Sequence, residues 1–166
     1  MKEFLQGRRF GFSLRPAFGM LAAGLGIATT LLDLMAWLQW GSRDTNGFVI
    51  AAYGTIIATT VVAALAALAA LFEWLDVPEE ERPLARLDLI AAAVAVVLYL
   101  VATVLRAGDL GGAGVTPIEL LLAIAGLIVL LVDGVISASL YATREWEIIE
   151  EDLPSVRHRR RRTARS

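Results

Sequence analysis

Four long apolar runs restrict what this chain can fold into more than any other feature of its sequence. The runs are Ala17–Trp40, Phe48–Leu75, Leu87–Leu105 and Pro117–Tyr141. Each reaches the roughly 18 residues that a helix needs to cross the hydrocarbon core of a bilayer. Backbone amides in lipid need internal partners, which leaves helices or closed barrels, and barrel strands are shorter and alternate in polarity. The sequence therefore predicts an all-α membrane protein with four transmembrane helices.

The composition excludes several kinds of covalent, metal and cofactor site. Hydrophobic residues make up 57% of the chain, and there is no cysteine. Disulfides, iron–sulfur clusters, thiolate metal sites and covalently attached c-type haem are therefore excluded. The first apolar run is about twice as long as the apolar part of a secretory signal peptide, and three more runs follow it. We interpret it as a signal anchor and not as a cleaved segment.

Lysine and arginine residues fall mostly on one side of the predicted membrane. Thirteen lie at the termini or in the second connection, whereas two, Arg43 and Arg106, lie on the opposite side. The positive-inside rule then places both termini in the cytoplasm. The thirteen are Lys2, Arg8, Arg9, Arg15, Arg82, Arg86, Arg144, Arg157, Arg159, Arg160, Arg161, Arg162 and Arg165.

Tryptophans mark the same two interfaces. Trp37 and Trp40 lie at the predicted outer surface, and Trp74 and Trp146 lie at the inner one. The two outer connections, over 41–47 and 106–116, are short and rich in glycine. Short connections make successive helices antiparallel, so the sequence predicts an up-down-up-down four-helix bundle.

The chain divides into three predicted parts. Residues 1–16 form an N-terminal segment at the inner interface, 17–145 form the four-helix transmembrane domain, and 146–166 form a charged, disordered cytoplasmic tail. The predicted location is the cytoplasmic membrane of a bacterium. The expected partners are the lipid bilayer and either another membrane protein or a second copy, and not nucleic acid, because one arginine cluster at a membrane is too little for it.

Each run carries a stripe of small or polar residues at spacings of three and four. Transmembrane helices pack through such residues, so we expect these stripes to face the bundle interior. The stripes are Ala22, Gly26, Thr29, Thr30, Asp33 and Trp37; Thr55, Thr59, Ala63, Ala66, Ala70 and Glu73; Asp88, Ala92, Ala95, Tyr99, Ala102 and Arg106; and Glu119, Ala123, Gly126, Asp133 and Ser137.

Two acids on these stripes are the candidates for chemistry. Asp33 lies about 7 Å outward of the middle of its helix, and Asp133 lies a similar distance inward of the middle of the fourth. Since they lie at different depths, we do not expect a carboxylate dyad. A structural role pairs Asp33 with Arg106 or with threonine hydroxyls, and pairs Asp133 with Arg15 or leaves it protonated. A functional role makes Asp33 a proton- or cation-binding group.

Three other acids are interpreted as ordinary surface or capping residues. Glu73 and Asp88 lie near the arginines of the second connection, and we expect water to solvate both. Glu119 follows Pro117 by two positions, where a negative charge is favourable near a helix N-terminus. No catalytic residue, cofactor-binding residue or metal ligand is predicted, and the sole histidine, His158, lies in the tail.

Several short segments resemble the bacterial membrane family catalogued as domain of unknown function 2231. The resemblance covers about 14–147 and is carried by 71–75 (LFEWL) ahead of a polar loop over 77–86, by 51–53 (AAY), by 32–34 (LDL) and by Gly134 before small residues at 137–138. It implies a four-helix membrane protein.

The chain departs from that family where histidines are usual. The family's Leu-His-Pro motif and second histidine correspond here to Arg15, before Pro16, and to Met20, while its third-helix histidine corresponds to Asp88. Another departure is Arg144, near the end of the fourth helix. Membrane histidines are the axial ligands that b-type haem needs, so a haem role of that family does not carry over to these positions.

Three functional hypotheses follow. The first is a non-enzymatic accessory or scaffold subunit whose acids hold the bundle together. The second is a small oligomeric transporter, coupled to protons or cations through Asp33, with a polar path of threonine hydroxyls. The third, a membrane redox protein with haem b, is disfavoured because the four runs contain no histidine. The path of the second hypothesis is formed by Thr29, Thr30, Thr55 and Thr59.

Overall fold

The structure is a computed structural model that describes the backbone over 14–42, 45–108 and 114–163, with side chains as far as Leu140. Its helices are α1 (Leu14–Trp37), α2 (Gly47–Asp76), α3 (Arg82–Ala107) and α4 (Pro117–Thr163). The described part of the chain contains no strand. All four helices are long and apolar enough to cross a membrane, α4 over Pro117–Leu140. The predicted all-α fold with four membrane-length helices is therefore confirmed.

Local sequence signals explain where the helices begin and end. α1 stops at Trp37, before Gln39 at φ 59° and Gly41 at φ 116°, a backbone region that favours glycine. Asn46 then caps α2, because its side-chain oxygen accepts a hydrogen bond from the backbone N–H of Phe48 at 3.0 Å. α3 begins five residues before the predicted Leu87, since Pro83 occupies its first turn, where a proline needs no N–H partner.

Two predicted segments fall wholly or partly beyond the described residues. The N-terminal segment lies outside them over 1–13, and the side chains of the tail, including Trp146, are not described. The tail predicted to be disordered, 146–166, has a helical backbone as far as Thr163. Its glutamates and arginines are good helix formers, which agrees with a helix that continues past the apolar run.

The four helices pack in a closed ring. Each helix packs against its neighbours along the chain, and α4 packs back against α1. As a result α1 and α3 lie diagonally across the bundle, as do α2 and α4. Small residues fill the centre, with Ala22, Ala63 and Ala95 around the larger Ile56 and Tyr99. Large apolar side chains point outward, for example Met20, 78% exposed, and Val135, 71% exposed.

The predicted interior stripes are largely correct. Every stripe residue of α3 and α4 is buried. On α1 the prediction is wrong for Trp37, which is 44% exposed, because a step of three residues from Asp33 turns Ala36 inward instead. It is also wrong for Thr30, which is only half-buried. On α2 it is wrong for Thr55 and Glu73, which are only half-buried. The interior face of α2 instead includes Ala52, Ile56 and Ala69.

Candidate functional site: two buried arginine–carboxylate clusters

The first cluster joins three helices at the end of the bundle where α1 and α3 begin. Arg15 on α1 donates from Nε to Asp88 Oδ2 and from Nη2 to Asp88 Oδ1, both at 3.0 Å. The same Nη2 donates to Asp133 Oδ1 on α4 at 2.6 Å. Arg15 and Asp133 are 1% exposed and Asp88 is 2% exposed. We call these three residues the Arg15 cluster.

The second cluster lies at the opposite end, where α1 and α3 finish. Arg106 on α3 donates from Nη1 to Asp33 Oδ1 at 2.7 Å and from Nη2 to Asp33 Oδ2 at 2.5 Å. Its Nη2 also lies 3.4 Å from the backbone carbonyl oxygen of Glu119 on α4. Asp33 is fully buried and Arg106 is 6% exposed. Arg106, Asp33 and Glu119 form the Arg106 cluster.

The side chain of Glu119 closes the start of α4. Its Oε2 accepts a hydrogen bond from the backbone N–H of Thr116 at 2.8 Å, and the residue is 7% exposed. This is one half of the capping arrangement in which an acid at the third helical position returns to the capping residue. The acid therefore lies at the N-terminus of α4, as the sequence predicts, but it is also buried beside an ion pair.

The two clusters have a common register on α1 and α3. Arg15 and Asp33 are 18 positions apart, and so are Asp88 and Arg106. Eighteen residues make about five helical turns and about 27 Å of rise, so both charges of each helix lie on one face near its two ends. Because α1 carries its arginine first and α3 its aspartate first, each positive charge meets a negative one across the bundle.

Between the clusters the interior is packed around Tyr99. This side chain is fully buried and contacts α1 and α4 at two glycines, Gly26 and Gly126. Any side chain at either glycine would overlap it: a Cβ at Gly26 would lie 2.5 Å from the Tyr99 hydroxyl, and one at Gly126 would lie 2.8 Å from its ring. The centre of the bundle is therefore filled and not open.

Threonine hydroxyls bond mainly within their own helices. Thr29, Thr30, Thr55 and Thr59 each donate to the backbone carbonyl oxygen four residues earlier. Thr29 and Thr59 also approach each other at 3.3 Å across the α1–α2 contact. These internal bonds use the hydroxyl protons, so the hydroxyls would offer only oxygen acceptors to the polar path that the transporter hypothesis requires.

Four buried polar atoms lack a hydrogen-bond partner in the described part of the chain. Two belong to the Arg15 end, Arg15 Nη1 and Ser137 Oγ. The others are Arg106 Nε and the Tyr99 hydroxyl. Since nearly all buried polar groups in proteins are paired, each of these atoms needs an explanation.

The structure brings the candidate residues together in pairs that the sequence proposed. Asp33 lies against Arg106 and Asp133 lies against Arg15, while the two aspartates are in separate clusters. The interpretation of Asp88 as a solvated residue is wrong. Because α3 begins at Arg82, Asp88 lies almost two turns inside the helix, where its face meets Arg15. The equal 18-residue spacing with reversed signs is the sequence signal that could have identified it.

The described residues contain no group of three or more His, Asp or Glu side chains arranged to hold a metal ion. A pocket of about 570 Å³ opens beside the α1–α2 turn, with Trp37, Asn46 and Val115 among its lining residues. No lining residue from the described part of the chain is ionisable. No family model matches the chain, nor does any curated protein or solved structure.

Proposed function

We propose that this chain is a four-span protein of the bacterial cytoplasmic membrane, with both termini in the cytoplasm, and that it serves as a non-enzymatic accessory or scaffold subunit. The observation that carries the proposal is the pairing of both candidate acids with arginines across a filled bundle. Ionisable residues within spans usually face the interior, where they pair with one another or serve transport. Here their side chains are engaged in holding helices together.

The geometry of Asp33 bears most directly on the transporter alternative. Both of its carboxylate oxygens accept from Arg106, and the residue is fully buried. A coupling carboxylate has to exchange its partner for a proton or a cation in each cycle. A two-point arginine pair is among the stronger charge-assisted contacts in proteins, so it opposes such exchange. This contact favours the scaffold role.

The outward surface supports the same role. Large apolar side chains cover the outer faces of all four helices, which suits lipid or the apolar face of another membrane protein. The proposed partner is a second membrane protein or a second copy of the chain. The resemblance to the membrane family catalogued as domain of unknown function 2231 belongs to this proposal as well.

Single cysteines test the proposed orientation, because the chain has none of its own. Thr45→Cys places a thiol in the first connection, and Glu80→Cys places one in the second, both at exposed positions. In intact cells a membrane-impermeant maleimide is expected to label Thr45→Cys only, and to label Glu80→Cys only after permeabilisation. The opposite pattern refutes the orientation.

Reconstitution separates the scaffold from the transporter. The purified protein in liposomes is expected to move neither protons nor alkali cations, with or without an imposed pH gradient. Asp33→Asn is expected to lower thermal stability, while the matched loop variant Glu80→Gln leaves it unchanged. Flux that depends on Asp33, in a variant that keeps its stability, rejects the scaffold role. In native membranes, crosslinking is expected to give a complex of fixed stoichiometry.

A further inference from the structure

The two clusters differ in how their charges are balanced. In the Arg106 cluster, Asp33 forms an ion pair with the guanidinium of Arg106. The carboxylate of Glu119 lies at the N-terminus of α4, where free N–H groups favour a negative charge. In the Arg15 cluster, one guanidinium faces two carboxylates. Asp133 lies in the interior of α4, far beyond its first turn, so no helix terminus compensates its charge.

The hydrogen bonds within the Arg15 cluster show which of its two aspartates is less fully paired with Arg15. Asp88 accepts from Arg15 through both oxygens, whereas Asp133 accepts from Arg15 through Oδ1 alone. Ser137 lies one turn further along α4, so it shares the face of Asp133. Ser137 is 5% exposed, and its hydroxyl lacks a partner. Because the Ser137 hydroxyl has no partner among the described residues, it is not bonded to Asp133 here, and Asp133 is the acid that Arg15 contacts through one oxygen only.

Among the residues whose side chains the structure describes, Arg15 is the only positive charge paired with Asp88 or Asp133. α1 contributes Arg15, and α3 contributes Asp88. The face that α2 turns inward at this end consists of Ala66, Ala69 and Ala70, and its nearest acid, Glu73, is half-buried. Two buried carboxylates with one shared cation carry an excess negative charge, which is costly in a medium of low dielectric constant.

We propose that the Arg15 cluster is a proton-binding site, in which Asp133 carries the proton on Oδ2 while Asp88 remains the carboxylate paired with Arg15 through both of its oxygens. A proton fits better than an alkali cation, because a cation at Asp133 would lie close to the guanidinium, whose Nη2 is 2.6 Å from Asp133 Oδ1. The proton removes the excess negative charge of the cluster.

Loss of this proton destabilises the helix packing at one end of the bundle. The two ionised carboxylates then share Nη2 of Arg15, and their repulsion separates α4 from α1 and α3 at this end. The folded protein binds one proton more than the unfolded chain, whose aspartates are ionised at neutral pH. Stability therefore falls as the pH rises, and the unfolding equilibrium constant increases by up to about tenfold per pH unit.

Infrared spectroscopy of the full chain in detergent tests the site directly. At neutral pH the wild type is expected to show the carbonyl stretch of a protonated carboxyl group, and Asp133→Asn is expected to lack it. Glu119→Gln, which alters the carboxyl group of the other cluster, is expected to retain the band. A wild type without the band, or a band that persists in Asp133→Asn, overturns the proposal.

The pH dependence of unfolding gives a second, independent measurement. Asparagine reproduces the neutral acid, since its amide oxygen can accept from Arg15 as Asp133 Oδ1 does. We expect Asp133→Asn to keep wild-type stability at neutral pH and to lose the fall in stability at high pH. Asp88→Asn, in contrast, removes the paired carboxylate and lowers stability. Equal losses in the two asparagine variants, or a pH dependence unchanged in Asp133→Asn, contradict the assignment of the proton to Asp133.

Discussion

The packing of Tyr99 against two glycines makes a prediction that depends on single atoms. A methyl group at position 26 would lie 2.5 Å from the Tyr99 hydroxyl oxygen, and one at position 126 would lie 2.8 Å from Tyr99 Cε2. Neither distance is compatible with an unaltered side chain. We expect Gly26→Ala and Gly126→Ala each to destabilise the bundle by about 1–3 kcal/mol, the usual cost of overpacking a filled core.

Matched glycines on the same helices separate this clash from the effect of alanine on the helix. A methyl group at Gly24 on α1 or at Gly134 on α4 would meet no neighbouring atom within 4 Å. Alanine favours a helix over glycine by about 1 kcal/mol, so Gly24→Ala and Gly134→Ala are expected to be neutral or stabilising. The clash is the difference between each interior variant and its control, measured by denaturant unfolding in mixed micelles with circular dichroism.

Tyr99→Phe shows which atom is responsible. It removes the hydroxyl that opposes position 26 and leaves the ring that opposes position 126, so it is expected to restore Gly26→Ala and not Gly126→Ala. After the hydroxyl is gone, the nearest remaining atom to a Cβ at Gly26 is Leu130 Cδ1 at 3.4 Å, an ordinary contact. Tyr99→Phe alone is expected to be neutral or stabilising, because the hydroxyl is buried without a partner. Rescue of both glycine variants, or of neither, refutes the described packing.

Three further predictions concern polar contacts, each measured by the same unfolding titration. Asp33→Asn leaves Arg106 without its charged partner and is expected to lower the free energy of unfolding by about 3–5 kcal/mol. Most of this loss is expected to return when both residues are replaced by apolar ones. An Asp33→Asn variant as stable as wild type contradicts the ion-pair role. Glu119→Gln removes a negative charge from the first turn of α4 and is expected to cost about 0.3–1 kcal/mol, and a gain in stability contradicts this. Thr60→Val breaks the 3.2 Å contact with the Thr103 hydroxyl and is expected to cost about 0.6 kcal/mol, with little further loss in the double valine variant.

The sequence predicts the number and faces of the helices well because both depend on local patterns. Length and hydropathy define the four apolar helices, and spacing by three and four identifies the interior face, as in α3, where all six predicted positions from Asp88 to Arg106 are buried. The Asp33–Arg106 pair can also be predicted from the sequence, since both residues lie on interior stripes at the same end of the bundle.

Other features of the site depend on contacts between distant parts of the chain. Hydropathy begins the third run at Leu87, which places Asp88 at the inner interface, although Pro83 indicates that the helix starts earlier. The packing of Tyr99 against Gly26 and Gly126 joins residues that are far apart in sequence. Periodicity assigns each residue to a face of its helix but does not say which residue of another helix lies opposite it. The open hydroxyl of Ser137 likewise becomes visible only once its surroundings are in place.

The reversed order of charges on α1 and α3 has a consequence for specificity. Buried ion pairs contribute little net stability, because desolvation offsets much of their attraction, so stability alone does not account for two of them. In the observed pairing Arg15 meets Asp88 and Arg106 meets Asp33. A parallel pairing of α1 with α1 of another copy, or of α3 with α3, would place like charges opposite each other at both ends. A shift of α1 along α3 by one turn would separate both pairs at once. The two clusters therefore select one partner and one register for the diagonal helices of an interior in which most of the other buried apolar residues are alanines.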